Sequence, residues 1–453
     1  MPSHRITLVS NSNQAQKITF LVPTPTSAAV LLKSAKDKLR LKKPSRIFLP
    51  GGGEVTTDVA PHIANGAEFL ISCGEDYVGL RKTVVTTSAT CPVTVIAKNS
   101  FVDSVAMTQL HATATLPGML QAVGMPDLHP GTKSPVGAAF VTQGYIHPPL
   151  IGGDIGCGMA VYRTSLSAKD VGDSEVKKLA ARLVGIEGAW EGDIAAFLSN
   201  YLTTDKIEDV HTWHDSLGTI GAGNHFAELQ LIMEATDTFN VDDVVLVVHS
   251  GSRGLGQEIL SKSADVYAED EAEDYLRRHK TACSWARANR DLIALRFLSR
   301  ISRRDLSQVD IAPLKILDIW HNNVECVDRK YIHRKGAAPA TEGMVIIPGS
   351  RGTLSAYVNP IPTSSTAFSL AHGAGRAQSR TAAFKKLSKR YRPDELQRTK
   401  LGGWVICEDN ELIYEEAPEG YKDVESVVSD LVAAGACTVV AWGMPRISYK
   451  VRK

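Results

Sequence analysis

Several features that would assign a protein to a compartment or partner are missing from this sequence. Its seven cysteines are scattered and form no CxxC pair, so neither a disulfide framework nor a paired-cysteine zinc site is indicated. No apolar run approaches the ~20 residues of a membrane span. The N-terminal sequence MPSHRITLVSNSNQ also lacks the pattern of a signal peptide. We therefore expect a protein of the cytoplasm, or of the nucleus, with no membrane partner.

The sequence also lacks an excess of charge of either sign. It holds 50 Lys and Arg against 49 Asp and Glu, for a formal net charge of +1. Any contact with nucleic acid must therefore come from a local basic surface. We find no internal repeat and no long low-complexity tract. A length of 453 residues predicts two domains, or one large domain with an appendage.

Residues 1–78 read as a small separate module. The hydrophobic pattern predicts, in order, strands at Arg5–Leu8 and Ile18–Val22, a helix at Ser27–Leu39, and strands at Ile47–Leu49 and Ala67–Ser72. This order resembles the ubiquitin-like β-grasp fold, although other small mixed sheets share it. Such a module suggests docking of a protein partner, and an accessory domain of unassigned role is an equally good interpretation.

From Lys82 to the C-terminus, predicted strands end in glycine-rich loops, several of which open a helix. Strand Val244–Val248 is followed by SGSRGLG and a helix from about Gln257, and strand Met344–Ile347 is followed by PGSRGTLS. A helix is predicted at Arg376–Lys389, and residues 257–330 read as a long charged helical region. The pattern predicts an α+β catalytic domain over residues 82–453.

Five residues beside these loops form a mixed set of candidate metal ligands. Asp154 and Cys157 lie in GGDIGCGM, and His225, His249 and His321 follow in GNHF, VVHSG and WHNN. Taken singly, each has an ordinary structural explanation as a turn aspartate, a core cysteine or a structural histidine. Together, oxygen, sulfur and nitrogen donors suit a borderline divalent ion such as Mn, Zn or Fe. A thiolate that bridges two such ions would suit phosphoryl chemistry.

His372 stands directly before the segment Gly373-Ala374-Gly375-Arg376 and the predicted helix. A nucleophile here would attack a phosphate held by backbone amides and the helix dipole, although a structural histidine in a tight turn is also compatible. The loops SGSRG (250–254) and GSRGT (349–353) suit phosphates, each as a weak signal. Residues 125–129 could orient metal ligands, and HRKGA (333–337) could contact a nucleic-acid backbone or be a solvated face.

The motifs GMPDLHPGTKSPVG, GGDIGCGMA, GAGNHFAEL, VHSGSRGLG, WHNN, HRKGA, IIPGSRGT, HGAGR and YKDVESVV occur in this order. In order and approximate spacing they resemble the RtcB family of 3′-phosphate RNA ligases. The resemblance covers residues 82–453, and the motifs taken together are highly specific to this family.

The resemblance implies a ligase of RNA repair or tRNA splicing. Such an enzyme joins a 3′-phosphate or 2′,3′-cyclic phosphate RNA end to a 5′-hydroxyl end with GTP and two Mn²⁺ ions, and an archease-type activator is a possible partner. By motif match the metal ligands would be Asp154, Cys157, His225, His249 and His321, with Cys157 bridging the ions. His372 would become guanylylated, and Asp127 matches an acidic position near the metals. The nucleotide would contact Asn224, Glu228, Ser350, Ser355, His372, Gly373, Ala374, Gly375, Tyr421 and Lys450.

Some segments depart from the usual family pattern. PGTK (130–133) follows the PDLH motif, HRKGAAPATEG is short, and the chain ends in PRISYKVRK where most members end in Lys-Gly. These features resemble the short branch associated with peptide release factor H. Two other functions stay open, a metal-dependent cyclic phosphodiesterase or phosphatase that does not ligate, and a non-catalytic RNA-binding scaffold. The presence of every ligand and of His372 argues against the scaffold.

Overall fold

The structure is a computed structural model that describes residues 3–14, 16–56, 58–78, 91–236 and 238–452. These residues form two compact units, one before and one after residues 79–90. The predicted start of the catalytic domain at Lys82 lies outside the described residues. In the described part of the chain, no helix combines the length and the apolar character needed to cross a membrane.

The first unit is a four-stranded sheet with one helix. Its elements are β1 (Ser3–Ser10), β2 (Lys17–Pro23), α1 (Ala28–Lys38), β3 (Arg46–Phe48) and β4 (Glu68–Ser72). The strand order is β2-β1-β4-β3, with β1 parallel to β4 and the other pairs antiparallel. Leu31 and Ala35 of α1 pack with Ile6 and Phe69 of the sheet in one apolar core. The five elements predicted from the sequence are confirmed to within two residues.

The second unit has mixed α and β content, as expected of an α+β fold. Its elements are β5 (Val93–Val95), α2 (Ser104–Thr113), β6 (Met119–His129), β7 (Val136–Thr142), β8 (Tyr145–Ile146), β9 (Gly158–Arg163), α3 (Val176–Leu183), α4 (Ile194–Leu198), α5 (Thr204–Asp209), β10 (Phe226–Ala235), β11 (Val244–Ser250), α6 (Gly254–Ser261), β12 (Tyr267–Ala268), α7 (Glu273–Ser302), β13 (Lys315–Trp320), β14 (Asn322–Val327), β15 (Lys330–Lys335), β16 (Ala337–Pro339), β17 (Val345–Pro348), β18 (Ser355–Pro360), β19 (Ser369–Ala371), α8 (Arg380–Leu387), β20 (Trp404–Cys407), α9 (Leu412–Glu415), α10 (Val424–Ala433) and β21 (Cys437–Lys450).

The larger sheet of this unit has the order β13-β9-β11-β10-β21-β18-β17, and β20 pairs with β21 beside this path. A second sheet has the order β14-β15-β7-β6-β5. Strand β11 (VVLVVHS) is buried along its whole length, which explains its continuous apolar sequence. The predicted strand 244–248 lies within β11, and the predicted strand 344–347 corresponds to β17, one residue further along the chain.

The helical prediction for residues 257–330 is only partly right. Helix α6 begins at Gly254 rather than near Gln257, and α7 occupies 30 residues. Residues 315–320 and 322–327, however, form strands β13 and β14. Helix α7 is buried more deeply than its charged sequence suggests. Its polar residues Asn289, Arg290 and Asp291 lie inside the unit and form hydrogen bonds with internal partners.

The predicted helix Arg376–Lys389 is wrong at its start. Helix α8 begins at Arg380, and the side chain of Ser379 caps it by accepting a hydrogen bond from the Ala382 amide. Arg376 instead forms an isolated β-bridge with Tyr421. His372 is therefore not at a helix N-terminus, and no helix dipole acts there on a phosphate. The start was predicted too early because the prediction relied on helix propensity alone. Serine favours the N-cap position, so Ser379 is the signal that marks the true start.

Candidate active site

The candidate metal ligands converge because they lie at one end of four neighbouring strands. Cys157 directly precedes β9, His225 precedes β10, His249 is near the end of β11, and His321 follows β13. The antiparallel register places His249 opposite both Met159 of β9 and Phe226 of β10. Strand pairing thus brings together side chains that are far apart in the sequence.

The distances define two overlapping groups that share Cys157. Its Sγ lies 3.3 Å from Nε2 of His225 and 3.3 Å from Nε2 of His249. His249 Nε2 lies 3.3 Å from His321 Nε2, and His225 Nε2 lies 2.9 Å from Asp154 Oδ2. One group is Cys157, His249 and His321 and the other is Asp154, Cys157 and His225, each with ligand atoms within 4.8 Å of one another. The structure therefore brings all five predicted ligands together.

The protonation states of this cluster suit cation binding. Burial, together with the adjacent imidazoles, lowers the pKa of His249 and His321 well below the ordinary value, so both are neutral ligands. His225 Nδ1 donates to the Ile220 carbonyl at 3.1 Å, which leaves a lone pair on Nε2. Several lone pairs of the donor atoms thus point at one another and repel. A cation bound between them would replace this repulsion with attraction.

The acidic members of the cluster fit the same interpretation. Burial and the neighbouring Asp154 carboxylate raise the pKa of the Cys157 thiol well above its ordinary value. Asp154 supplies the oxygen donor beside this thiol. A thiol of raised pKa becomes a thiolate when it coordinates a metal ion. The oxygen, sulfur and nitrogen set fits a borderline divalent cation.

Helix α7 holds the loops that carry these ligands. The Asn289 Oδ1 accepts from the Gly218 amide at 2.7 Å. Its Nδ2 donates to Thr219 O, to Ser250 Oγ and to Gly251 O at 3.2, 3.0 and 3.3 Å. One buried amide thus connects the loop before His225 with the loop after His249.

Arg290, the next residue of α7, reaches a further loop. Its Nη1 donates at 2.9 Å to the carbonyls of Gly156 and Ser250, which adjoin Cys157 and His249. A buried ion pair with Asp318 at 2.6 Å balances the guanidinium charge. Asn289 and Arg290 together fix the backbone on either side of the candidate ligands. The sequence analysis did not identify either residue.

Beside the ligand cluster, His372 forms a hydrogen bond with a buried carboxylate. Its Nδ1 donates to Asp127 Oδ2 at 2.7 Å, and its backbone amide approaches the same oxygen at 3.3 Å. Asp127 is fully buried on β6. Because Nδ1 carries the proton, Nε2 keeps its lone pair. The His372 ring lies 4.8 Å from that of His321 between centroids.

A cavity of about 470 Å³ joins these groups. Its wall includes His372 and the donors Asp154, Cys157, His249 and His321. The residues predicted to contact a nucleotide also line it, namely Asn224, Glu228, Ser350, Ser355, Gly373, Ala374, Gly375, Tyr421 and Lys450. The volume suits a small-molecule ligand of nucleotide size.

One part of the cavity wall is built from buried ionisable groups. Glu228 accepts from Gln230 Nε2 at 2.8 Å and from the Ser448 hydroxyl, and burial raises its pKa to about 7. Lys450 Nζ donates to the His225 carbonyl at 3.0 Å, and burial lowers its pKa. These groups offer an acceptor and a donor to a polar ligand.

Glu416 is a central residue of the cavity that the sequence analysis missed. It binds Arg376 and Arg380 at 3.1 Å each, lies 3.7 Å from Lys450 Nζ, and accepts the Tyr421 hydroxyl. Burial would raise its pKa, but these cations outweigh burial and lower the pKa to about 2. The surrounding sequence YEEAPEG looks like an exposed acidic loop, so its pattern held no signal of this role.

The predicted phosphate loops differ in position. Gly349, Ser350 and Arg351 of GSRGT line the cavity. The SGSRG loop instead supports the ligands, since a Cβ on Gly251 would lie only 2.1 Å from Asp154 Oδ1. That loop is absent from the described cavity wall.

The two remaining motifs also have clear positions. Lys335 and Gly336 of HRKGA reach the cavity, whereas Arg334 pairs internally with Glu325. In segment 125–129 the acceptor Asp127 orients His372, although the sequence suggested orientation of metal ligands.

Known proteins match the second unit. A family model described as tRNA-splicing ligase RtcB matches residues 109–189, 187–272 and 263–451. RNA-splicing ligase RtcB2 of Escherichia coli strain ATCC 25922 is 41% identical over 376 residues, which cover 79% of this chain and 95% of that protein. RNA-splicing ligase RtcB of Escherichia coli K12 is 29% identical over 404 residues, with 76% and 95% coverage. tRNA-splicing ligase RtcB of Pyrobaculum aerophilum is 28% identical over 436 residues, with 72% and 89% coverage. The chain therefore belongs to the RtcB ligase family.

Proposed function

We propose that this protein is a GTP- and Mn²⁺-dependent RNA ligase that joins a 3′-phosphate or 2′,3′-cyclic phosphate end to a 5′-hydroxyl end. The observation that carries the proposal is the His372–Asp127 hydrogen bond, because His372 lines the cavity that also reaches the donor Cys157, and Asp127 is buried behind it. A nucleophile, a cation site and a nucleotide-sized cavity are the parts that guanylyl transfer needs. RNA repair or tRNA splicing is the corresponding role.

Two divalent cations would be held by the two donor groups, with Cys157 contributing to both. When bound, such cations neutralise negative charge on the phosphates and on the attacking groups. The protein supplies fixed donors, since Asn289 and Arg290 hold the loops on which they lie.

The first step is carried by His372. Its Nε2 lone pair attacks the α-phosphorus of GTP, a P–N bond forms, and the bond to the bridging oxygen breaks so that pyrophosphate leaves. The imidazole becomes positively charged during the attack, and the Asp127 carboxylate on Nδ1 stabilises that charge.

The remaining steps transfer and then release GMP. An oxygen of the RNA 3′-phosphate attacks the guanylyl phosphorus and the P–N bond breaks, which gives an activated diphosphate end. The 5′-hydroxyl then attacks the RNA phosphorus, loses its proton and displaces GMP. A cyclic phosphate is first opened by water to a 3′-phosphate. Covalent transfer divides one difficult joining step into easier ones.

The polar groups of the cavity suit the rest of the nucleotide. We assign the guanine to Glu228 and Lys450, with the Tyr421 ring able to stack on the base, and the ribose to Ser350 and Ser355. Asn224 and the Gly373-Ala374-Gly375 backbone would hold the phosphates.

For the N-terminal unit we propose a ubiquitin-like module that docks a protein partner. The strand order β2-β1-β4-β3 with one helix against the sheet supports this assignment.

The test is incubation of the purified protein with α-³²P-GTP and Mn²⁺, followed by a denaturing gel. We expect a labelled band that His372→Ala abolishes while metal content stays at the wild-type level. His111→Ala, which changes an exposed histidine of α2, is the matched control and should label normally. Unlabelled wild-type protein that contains metal would refute the guanylylation step and favour the cyclic-phosphate hydrolase.

A further inference from the structure

The chain segment that follows the HGAG loop is strongly basic. Residues 376–392 contain seven Lys and Arg and no Asp or Glu, whereas the whole chain has 50 Lys and Arg and 49 Asp and Glu. The local imbalance lies next to the cavity and disappears in the net charge of the whole protein. A local basic surface is the feature that a nearly neutral protein needs for contact with nucleic acid.

The cations at the two ends of this segment have acidic partners. Arg376 and Arg380 bind Glu416. Arg392 lies 3.6 Å from Asp394 and 3.7 Å from Glu395. These three charges are therefore balanced within the protein.

The four cations between them are Lys385, Lys386, Lys389 and Arg390, here called the basic segment. All four are exposed, and none forms an ion pair with a described residue. The last turn of α8 accounts for Lys385 and Lys386 in part, since cations there interact favourably with the helix dipole. The dipole does not account for Lys389 and Arg390, which lie beyond the helix. The Arg390 guanidinium lies over the Tyr391 ring, 5.0 Å from its centroid, a contact that leaves its charge unneutralised.

The basic segment leads away from the cavity. Arg380, the first residue of α8, lines the cavity, and a Cβ on Gly223 would lie 3.0 Å from its Nη2. At about 1.5 Å per residue, Lys386 lies about 9 Å further along the helix axis. Ala383 and Leu387 are buried and pack in one apolar cluster with Tyr414, so the helix is fixed to the unit. The direction of α8 is therefore set by packing.

We propose that the basic segment binds the backbone phosphates of an RNA strand that runs outward from the cavity, a few nucleotides from the reacting end. This inference rests on the proposed RNA ligase function. Four cations within six residues repel one another, and a polyanion with regularly spaced charges relieves that repulsion. Contacts of this kind position the strand and read no sequence. They suit an enzyme that must hold an end while its chemistry occurs in the cavity.

The test replaces all four residues with glutamine in the full-length protein. Affinity for a 5′-hydroxyl and a 3′-phosphate single-stranded RNA is measured over a range of salt concentrations, and His372 labelling by GTP is measured without RNA. We expect normal labelling, weaker RNA binding, and a salt slope shallower by up to about 0.7 for each phosphate that the variant no longer neutralises. In the joining reaction, KM for RNA should rise while kcat stays nearly constant.

The matched control removes four exposed cations of α7 and its C-terminal end, in the variant Lys280→Gln, Arg300→Gln, Arg303→Gln and Arg304→Gln. An equal drop in affinity in this control would overturn the proposal, because net charge alone would explain the effect. Unchanged RNA affinity and salt slope in the basic-segment variant would also overturn the proposal. That result would favour an acidic protein as the binding partner of this surface. Absence of GTP labelling in the wild type is a separate result, since it refutes the proposed function without altering the RNA-binding comparison.

Discussion

At the scale of single residues, the hydrogen bond between His372 and Asp127 decides which ring nitrogen keeps its lone pair. The carboxylate accepts from Nδ1, so the lone pair remains on Nε2. Asp127→Asn keeps the shape of the side chain and removes its charge. We expect guanylylation to slow by about a hundredfold or more, because the neutral amide cannot stabilise the imidazolium that forms. The measurement is the initial rate of labelling with α-³²P-GTP.

A loss of folding would mimic this effect, so a control on an exposed carboxylate is needed. Asp193→Asn removes the charge of a residue that caps the short helix α4. It should lower the thermal midpoint slightly and leave the labelling rate unchanged. If Asp127→Asn is labelled at the wild-type rate, guanylylation of His372 does not depend on this carboxylate.

Glu228 gives the proposed guanine pocket a pH dependence. Burial raises its pKa to about 7, whereas an exposed glutamate ionises near 4.5. Only the carboxylate can accept two N–H groups of guanine, so binding should improve as the pH rises through 7 and Glu228 ionises. Guanosine affinity should increase by up to about tenfold between pH 6 and pH 8, since with a pKa of about 7 the ionised fraction of Glu228 rises from about one tenth to about nine tenths over that range.

The measurement is calorimetric titration with guanosine, which carries no phosphate and needs no metal ion. Glu228→Gln should bind more weakly at pH 8 and lose the pH dependence. If the wild-type affinity is the same at pH 6 and pH 8, guanine recognition through an ionised Glu228 is wrong.

Much of the candidate site was foreseeable at this scale. The candidate ligands, His372 and the nucleotide-contacting residues are polar or small residues in glycine-rich loops, a combination that draws attention in a sequence. Glu416 and Asn289 were not foreseeable, because their roles depend on long-range contacts. Glu416 lies in an acidic stretch and Asn289 in a charged helix, where each resembles an ordinary surface residue.

At the scale of elements, α7 is the support of the candidate metal site. The Asn289 amide donates to three acceptors in the loops before His225 and after His249. Asn289→Asp keeps the acceptor for Gly218 and replaces these donations with repulsion between oxygens. We expect Mn²⁺ affinity to fall by about 10–100-fold, the usual effect of removing a residue that orients ligands. Equilibrium dialysis or electron paramagnetic resonance of free Mn²⁺ measures it.

Two arginines of α7 allow a matched comparison. Arg290→Lys removes the paired hydrogen bonds to Gly156 and Ser250, which adjoin the ligands. Arg296→Lys removes similar hydrogen bonds to Ile186, Gly188 and Gly218, none of which adjoins a candidate ligand in the sequence, although Gly218 lies in the loop before His225. Both variants should lower the thermal midpoint, and Arg290→Lys should weaken Mn²⁺ binding more than Arg296→Lys does. If the two variants lower Mn²⁺ affinity equally, α7 stabilises the whole unit and has no specific role in holding the metal site.

The elements that the sequence predicted well are those with a local signal. Strands β11 and β17 are short apolar runs that end at a glycine-rich loop, and α1 repeats its apolar residues at helical spacing. Helix α8 was predicted too long because favourable helix residues precede its cap. Strands β13 and β14 were taken as helix, since they follow a long helix in the same charged sequence. Their strand character comes from pairing with β9 and β15, which the sequence does not reveal.

At the scale of the whole molecule, the chemistry belongs to one unit. Every candidate ligand, His372, Asp127 and the described cavity lie within residues 91–452. The family model begins its match at residue 109. The first unit has its own apolar core around Ile6, Leu8 and Phe69. Each unit thus has an apolar core of its own.

This division predicts that a chain lacking residues 1–78 keeps its catalytic chemistry. The first unit contributes no described residue to the cavity, so removing it should leave the rate of GTP labelling within about twofold of the full-length value. Joining of a short RNA should also persist, because the basic segment lies on α8 and just beyond it. Circular dichroism establishes that the truncated chain is folded before labelling is compared. A folded truncation that binds Mn²⁺ but no longer labels would mean that the first unit acts on the active site, and its role would then be regulation of the chemistry instead of docking.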